Sequence, residues 1–68
     1  MNDGRKEYFD AQGKLRTEFS VEKGRIHGKV RLFYSGGKLK REMELSYGTV
    51  IRDTIYDEDG KILYASPE

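Results

Sequence analysis

The chain has 68 residues, of which 13 are Lys or Arg, 12 are Asp or Glu and one is His, so its formal net charge is +1. This length allows one domain, and the balance of charges disfavours a strongly basic nucleic-acid-binding module. The sequence holds no Cys, which excludes a disulfide framework, a thiol catalyst and any cysteine-ligated metal or cluster. With a single His as well, we expect no metal site and no cofactor.

The sequence carries no sign of a membrane or targeting segment. Its apolar runs fall short of the roughly 18 residues that a membrane span needs. The first six residues, Met1-Asn2-Asp3-Gly4-Arg5-Lys6, lack the apolar stretch of a signal peptide. We therefore expect no membrane span and a cytoplasmic location.

The apolar content is small but exceeds that of disordered chains. Leu, Ile, Val and Phe total 15 of the 68 residues, and five Tyr add to three Phe as aromatic residues. Below about 70–80 residues, one core seldom supplies more than a few kcal/mol of stability. Because no disulfide is available and no metal is expected, stability is predicted to come from local structure with well-formed turns, from self-association, or from both.

The predicted elements are six short strands, because apolar and polar residues alternate between turns that contain Gly. They cover approximately residues 5–9, 14–22, 26–34, 38–46, 50–56 and 61–65. Residues 39–45 are rich in good helix formers, but the segment between two Gly turns has the length of one strand, so a strand is preferred. Short connections pair each strand with the next, which predicts an all-β fold: a six-stranded antiparallel meander in a single curved sheet.

The turn sequences fit hairpins. Asp10-Ala11-Gln12-Gly13 and Asp57-Glu58-Asp59-Gly60 have the residues of type I turns closed by a left-handed Gly. Ser35-Gly36-Gly37-Lys38 is predicted to be a two-residue primed turn, since both central positions are free to take positive φ. The remaining two turns contain one Gly each, Gly24 and Gly48.

An internal repeat is the strongest signal in the sequence. Gly13-Lys14-Leu15, Gly37-Lys38-Leu39 and Gly60-Lys61-Ile62 recur at intervals of 24 and 23 residues, and Gly24 and Gly48 lie between them. The pattern predicts one repeat domain over residues 1–68, with units at about 8–32 and 33–55 and a partial unit at 56–68. Such units cannot bury an apolar face alone, so they stack along one axis.

The central unit resembles a known repeat. Gly24-Arg25-Ile26-His27-Gly28, the aromatic pair Phe33-Tyr34 and Gly37-Lys38-Leu39 are similar to the bacterial variant of the MORN repeat, from which the YwqK-type antitoxin family is built. The resemblance covers approximately residues 7–64, and the second unit departs from it where Ile51 and Arg52 replace the expected His and Gly. The chain is also similar to a tyrosine–aspartate repeat of large secreted shell proteins, but the Gly-x-x-His-Gly element argues against that repeat.

The resemblance has implications for fold and partners. MORN-type repeats form single-layer antiparallel sheets and usually mediate protein–protein contact, sometimes dimerisation. Some members have been linked to acidic lipids. The antitoxin label implies that the protein binds and neutralises a partner protein.

No residue is predicted to be catalytic. His27 would need a nucleophile or carboxylate aimed at it, and the sequence nominates none. Asp57-Glu58-Asp59 lacks the length and spacing of a calcium loop and fits a solvated turn. Gly36-Gly37-Lys38 precedes a strand rather than a helix, so a phosphate loop is dismissed. We therefore predict that the chain is not an enzyme.

Basic residues cluster around the second turn: Lys23, Arg25, Lys29 and Arg31. With aromatic residues nearby, they form a candidate anion-binding surface for RNA or acidic lipid. The alternative is a solubilising face on which Glu42 and Glu44 oppose the cations across the strands. The small net charge favours that alternative.

An apolar stripe is the more informative feature. Alternation predicts that one face of the sheet collects large apolar side chains, and no segment is left to cover that face with a helix. The residues predicted to form this interaction face are Leu15, Phe19, Val21, Val30, Leu32, Tyr34, Met43, Leu45 and Tyr56. On the fifth predicted strand, Val50 and Thr54 are expected on the same side as Tyr56. Soluble monomers rarely expose an apolar patch of more than a few hundred Å². The sheet is therefore expected to curl strongly over itself, to dimerise face to face or to bind a partner protein.

These observations favour association over catalysis. We predict a small non-enzymatic protein–protein interaction module whose partner is itself, another protein, or both. By resemblance, the concrete version is an antitoxin-like or immunity-like role. The alternative function is nucleic-acid or anionic-lipid binding through the basic turn residues, which the charge balance disfavours.

Overall fold

The chain folds into one open antiparallel sheet. The computed structural model describes residues 3–67. Its strands are β1 (Gly4–Phe9), β2 (Leu15–Glu22), β3 (Arg25–Ile26), β4 (Gly28–Phe33), β5 (Leu39–Ser46), β6 (Thr49–Tyr56) and β7 (Ile62–Ser66). Their order is β1-β2-β4-β5-β6-β7, and the two-residue β3 pairs with β2. The predicted all-β meander is confirmed, and so is the strand preferred to a helix at residues 39–45. Glu68, the end of the predicted partial unit, lies outside the described residues.

The sheet is a single layer with little interior. Its Cα atoms span 37 × 35 × 9 Å, and the radius of gyration is 12.7 Å, against about 11 Å for a compact domain of this length. Among the apolar side chains in residues 3–67, only Val30 and Leu45 are buried, with 7% and 8% of their surface exposed. A typical domain buries its apolar residues between two layers. This chain buries them only between neighbouring strands.

Three of the turns share one design. They begin at Asp10, Tyr34 and Asp57, and the carbonyl oxygen of each accepts a hydrogen bond from a Gly N–H three residues later, at 2.9, 2.9 and 3.1 Å. The closing glycines are Gly13, Gly37 and Gly60, with φ values of +79°, +93° and +88°. Gly adopts this left-handed region at little cost. The arrangement is that of a type I turn followed by a left-handed residue.

The prediction of a primed turn at Ser35–Lys38 is wrong. The turn begins one residue earlier, and Gly37 has positive φ whereas Gly36 does not. A three-residue loop needs only one left-handed residue, whereas a two-residue primed turn needs two. Primed geometry occurs instead at the other two turns, where both central residues have positive φ: Lys23 (53°) with Gly24 (77°), and Tyr47 (46°) with Gly48 (93°).

Asp10 and Asp57 also cap their own turns. Oδ1 of each accepts two backbone N–H groups of the turn at 2.8–3.0 Å. The hydrogen bond from the Lys14 N–H holds the pKa of the Asp10 carboxyl below its usual value. The equivalent residue of the middle turn is Tyr34, whose hydroxyl donates to the carbonyl oxygen of Tyr56 at 2.7 Å. The middle turn is therefore tied to the next hairpin instead of being capped by its own side chain.

A β-bulge follows each of these three turns. The register shifts by one residue between β1 and β2, between β4 and β5, and between β6 and β7. The residues without a partner in these pairings are Arg16, Lys40 and Leu63. Each is the third residue after the closing Gly, so the bulges recur with the spacing of the repeat. The sequence repeat thus encodes a turn and a bulge, and a bulge increases the local twist of the sheet.

The sequence predicts one continuous strand at 26–34, and its continuity is wrong. The strand is interrupted at His27, between β3 and β4. Gly28 has a φ of +90°, so the backbone leaves the extended region there. The register of the pairing with β2 consequently shifts by two residues. On β3, Ile26 pairs with Val21, whereas on β4, five residues further along the chain, Arg31 pairs with Glu18, which is only three residues before Val21.

A further bulge, within β6, changes the side of the sheet on which the following side chains lie. Ile51 has no partner on β5 because the register shifts at that point. One extra residue reverses the alternation of side chains. Val50 pairs with Leu45, whereas Thr54 pairs with Glu42, so Val50 and Thr54 lie on opposite sides of the sheet. The expectation that they share a side is wrong.

The two glycines of the middle turn provide a matched test of this geometry. Ala at position 37 has to adopt a φ near +93°, which costs an L-residue roughly 1–2 kcal/mol. An added Cβ at either glycine meets no atom within 4 Å. We expect Gly37→Ala to lower the free energy of unfolding in urea by that amount. Gly36→Ala leaves it unchanged or raises it, because fewer conformations are open to the unfolded chain. Equal effects of the two substitutions would contradict the turn assignment.

Candidate protein-interaction surface

The sheet has an apolar side and a charged side. Residues paired across antiparallel strands share a side, and successive residues along a strand face opposite ways. By this register, one face carries the large apolar side chains Tyr8, Phe19, Val21, Val30, Leu32, Met43, Leu45, Val50, Ile55 and Tyr64, and we call it the apolar face. Lys6, Thr17, Arg41 and Asp53 have register positions on the same face. The charged face consists of Arg5, Glu7, Glu18, Lys29, Arg31, Glu42, Glu44 and Arg52.

The structure brings six of the nine predicted interaction residues onto the apolar face: Phe19, Val21, Val30, Leu32, Met43 and Leu45. The other three, Leu15, Tyr34 and Tyr56, lie at the turn ends, beyond the bulges. Leu15 pairs with Phe9, and Tyr56 pairs with Ile62. Phe9 directly follows Tyr8 on β1, and Tyr56 directly follows Ile55 on β6. Because Tyr8 and Ile55 are on the apolar face, both pairs have register positions on the opposite side of the sheet. The bulges therefore separate the turn ends from the apolar face.

Four residues outside the predicted nine complete the apolar face: Val50, which the sequence placed on the side of Tyr56, and Tyr8, Ile55 and Tyr64, which the sequence did not single out. The ring of Tyr8 stacks on that of Phe19, with centroids 5.9 Å apart and an interplanar angle of 17°. Tyr64 pairs with Ile55 at the other end of the sheet. Tyr8 and Tyr64 are 57% and 50% exposed. Only the register between strands assigns these residues to the apolar face. Alternation within one strand divides its residues between two sides, but it does not show which side lies on the same face as the apolar residues of the next strand.

An ion pair lies within the apolar face. Arg41 pairs in register with Leu32 and Ile55, and Asp53 pairs with Met43. Nε of Arg41 donates to Oδ1 of Asp53 at 2.9 Å, and a second guanidinium nitrogen donates to Oδ2. Asp53 is buried, with 9% of its surface exposed. These hydrogen bonds lower the pKa of the Asp53 carboxyl and raise the pKa of the Arg41 guanidinium.

The ion pair makes stability depend on pH in a defined direction. The pKa of Asp53 is lower in the folded chain than the value of about 3.9 in an unfolded chain. The pair therefore stabilises the fold fully above the unfolded pKa and loses its effect as the pH falls through the folded pKa. We expect the urea midpoint of the wild-type chain to fall between pH 5 and pH 2. In Asp53→Asn, the side chain at position 53 does not titrate between pH 5 and pH 2. We expect this variant to have a lower urea midpoint than the wild-type chain at pH 7 and a smaller decrease in midpoint as the pH falls. Parallel pH profiles would show that the pair does not set the acid response.

The charged face neutralises itself through a line of ion pairs. Glu18 is only 7% exposed and accepts hydrogen bonds from Arg5 and, at 3.0 Å, from Arg31. Nε of Arg31 donates to Glu42 at 2.8 Å. The hydrogen bond to Glu18 and, to a smaller extent, the hydrogen bond to Glu42 raise the pKa of the Arg31 guanidinium. Four strands are thus crossed by alternating cations and anions, with little net charge on this side.

The structure places the four predicted anion-binding residues in two locations. Lys23 and Arg25 lie at the primed turn between β2 and β3, where Nζ of Lys23 is 5.7 Å from the centre of the Tyr47 ring. Lys29 and Arg31 lie on the charged face. Arg31 is held by two carboxylates, and Lys29 is paired in register with Glu44. The four cations therefore do not form one continuous basic surface.

His27 links the two primed turns. Its Nδ1 accepts a hydrogen bond from the Tyr47 N–H at 3.2 Å, and the two rings stack with centroids 4.1 Å apart. Beside them, the Gly48 N–H donates to the Ile26 carbonyl oxygen at 2.8 Å. The Glu22 carboxylate lies 3.8 Å from Nε2. These contacts give His27 a structural role, holding the turn after β2 against the turn after β5.

Neither a membrane-spanning helix nor a metal-binding cluster occurs in the described part of the chain. No helix in residues 3–67 is both long enough and apolar enough to cross a membrane. Within the same residues, no group of three or more His, Asp or Glu side chains is arranged to hold a metal ion.

The central hairpin has the sequence of a known repeat. Residues 26–46 match the MORN repeat variant. The matched segment runs through β4, the turn that begins at Tyr34, and β5. MORN repeats are in general protein-interaction modules and are typically non-catalytic. The match is to the repeat itself, and it gives no support to the narrower resemblance to YwqK-type antitoxins. No curated protein and no solved structure matches the chain significantly.

Proposed function

We propose that this chain is a non-enzymatic protein-interaction module that associates with itself by covering its apolar face with a second copy. The observation that supports this most directly is the single layer. A sheet 37 × 35 × 9 Å in extent presents a broad apolar side, and no other part of residues 3–67 packs on it. The match of the central hairpin to a protein-interaction repeat supports the same proposal.

The dimensions of the face suit a stable interface. Specific protein–protein interfaces bury about 800 Å² per partner, and a face of 37 × 35 Å has room for that area. Removal of apolar surface from water stabilises by roughly 25 cal/mol per Å². Several hundred Å² therefore outweigh exposed ion pairs such as Arg52–Glu44, because pairs of that kind contribute about 0–1 kcal/mol each.

The charges on the apolar face favour a second copy as the partner. Arg41 and Asp53 lie side by side and cancel each other, and the Arg41 side chain remains 40% exposed. Two copies related by a two-fold axis present the same pair in opposite directions, and an axis that passes close to the pair brings the cation of one chain to the anion of the other. An apolar partner surface would leave this ion pair without polar neighbours after docking.

Light scattering after size-exclusion chromatography tests the proposal. We expect the wild-type chain to be oligomeric and Phe19→Lys to halve its mass, because a charge in the apolar face cannot be desolvated on docking. Val50→Lys, at a site that is 51% exposed in the single chain, is a second variant with less effect on folding. Thr54→Lys on the opposite side of the sheet is the matched control and keeps the wild-type mass. Circular dichroism establishes that each variant retains its strands.

A strictly monomeric, folded wild-type chain at high concentration would overturn self-association. The second form of the proposal, an antitoxin-like module, then becomes testable: a toxin-like protein encoded next to this chain co-purifies with it and is lost on Phe19→Lys. Salt-dependent retention of the wild-type chain on heparin or nucleic acid would instead favour the anion-binding function.

A further inference from the structure

The last strand of the sheet is an uncovered apolar edge. β7 pairs with β6 and with no other strand of the described sheet. Ile62, Leu63 and Tyr64 are 61%, 64% and 50% exposed. They follow one another along the strand, so apolar side chains project on both of its sides. An edge of this kind presents unpaired backbone N–H and C=O groups to any strand that approaches it.

The two edges of the sheet differ in charge. β1 carries Arg5, Lys6 and Glu7, whereas the segment Ile62–Ser66 contains no charged residue. Charged side chains protect an edge strand against pairing with another chain, because pairing would desolvate them. β1 is protected in this way and β7 is not. Lys61 and Pro67 flank the uncharged segment and limit pairing to about five residues.

We infer that β7 pairs antiparallel with β7 of a second copy across a two-fold axis, so that one sheet continues through two chains. Pairing of β7 with β1 of another copy would bring the charges of β1 against an apolar strand. It would also leave a free β1 at one end and a free β7 at the other, so that further copies could add by the same contact and form a filament. Pairing of β7 with itself joins two uncharged strands and closes at two chains.

This inference rests on the proposed self-association and adds a contact separate from it. The apolar face is covered by stacking of two sheets, whereas the edge contact extends a sheet within its own plane. The two contacts use different two-fold axes, and with these axes perpendicular and intersecting the assembly closes at four chains. Tyr64 connects them, because it lies on β7 and also on the apolar face.

Cysteine cross-linking tests the edge contact directly, because the chain has no Cys of its own. A two-fold antiparallel pair places one residue directly opposite its own copy, with Cα atoms about 4.5–5.5 Å apart, which suits a disulfide. Single Cys variants at residues 62, 63, 64 and 65 are oxidised in turn. We expect a covalent dimer at one of these positions and none for Glu7→Cys, which lies on the opposite edge strand and on the charged face. Absence of a cross-link at all four positions would overturn the inference.

Mass measurements separate the edge contact from the face contact. If both exist, the wild-type chain forms tetramers. Leu63→Lys and Phe19→Lys each give dimers, and the double variant gives monomers. Phe9→Lys is the matched control: it adds the same charge at a 58% exposed residue of the other edge strand and leaves the mass unchanged.

The two ways in which the scheme can fail give different results. If only the face contact exists, the wild-type chain is a dimer that Leu63→Lys leaves intact and Phe19→Lys converts into monomers, which overturns the edge inference alone. If only the edge contact exists, the wild-type chain is a dimer that Phe19→Lys leaves intact and Leu63→Lys converts into monomers. In that case the edge inference holds and the proposed stacking of apolar faces is wrong.

Discussion

Cross-strand contact within a single layer is the interaction on which this structure depends. With no second layer in the described chain, an apolar side chain is shielded only by neighbours on adjacent strands. Shielding is therefore greatest in the middle of the sheet, at Val30 and Leu45. It is least where a neighbouring strand is missing on one side, at Tyr8, Val50 and Tyr64. Folding leaves part of the apolar surface in contact with water, and the proposed association would remove that surface from water. In such a chain, stability and recognition draw on the same side chains.

Polar groups have a distinct role on each side of the sheet. On the charged face, Glu18 is shared by two guanidinium groups, which satisfies a carboxylate that the sheet has largely removed from water. On the apolar face, Arg41 and Asp53 satisfy each other in the same way. An isolated charge at either place would be costly, because burial without a partner loses hydration that nothing replaces. In the proposed assembly, the pair on the apolar face would favour particular orientations of the partner.

The sequence predicts the strands and their order well, because alternation, turn residues and short connections are all local signals. The bulges explain most of what it does not predict. Each adds one residue to one strand only, and a shift of one residue moves every later side chain to the other side. For this reason alternation alone groups Val50 with Thr54, and it adds the turn-end residue Tyr56 to the apolar stripe. The ion pair between Arg41 and Asp53 also depends on register, which only the paired strands reveal.

Tyr34 occupies the position that Asp10 and Asp57 hold in the other two turns, but its hydrogen bond reaches Tyr56 in the following hairpin. A turn capped by aspartate is complete once its own two strands have met. The middle turn lacks that independence and gains its last bond only when a third strand is in place. Neighbouring units are therefore linked across their boundary, so the central hairpin depends on the next one for one of its own hydrogen bonds.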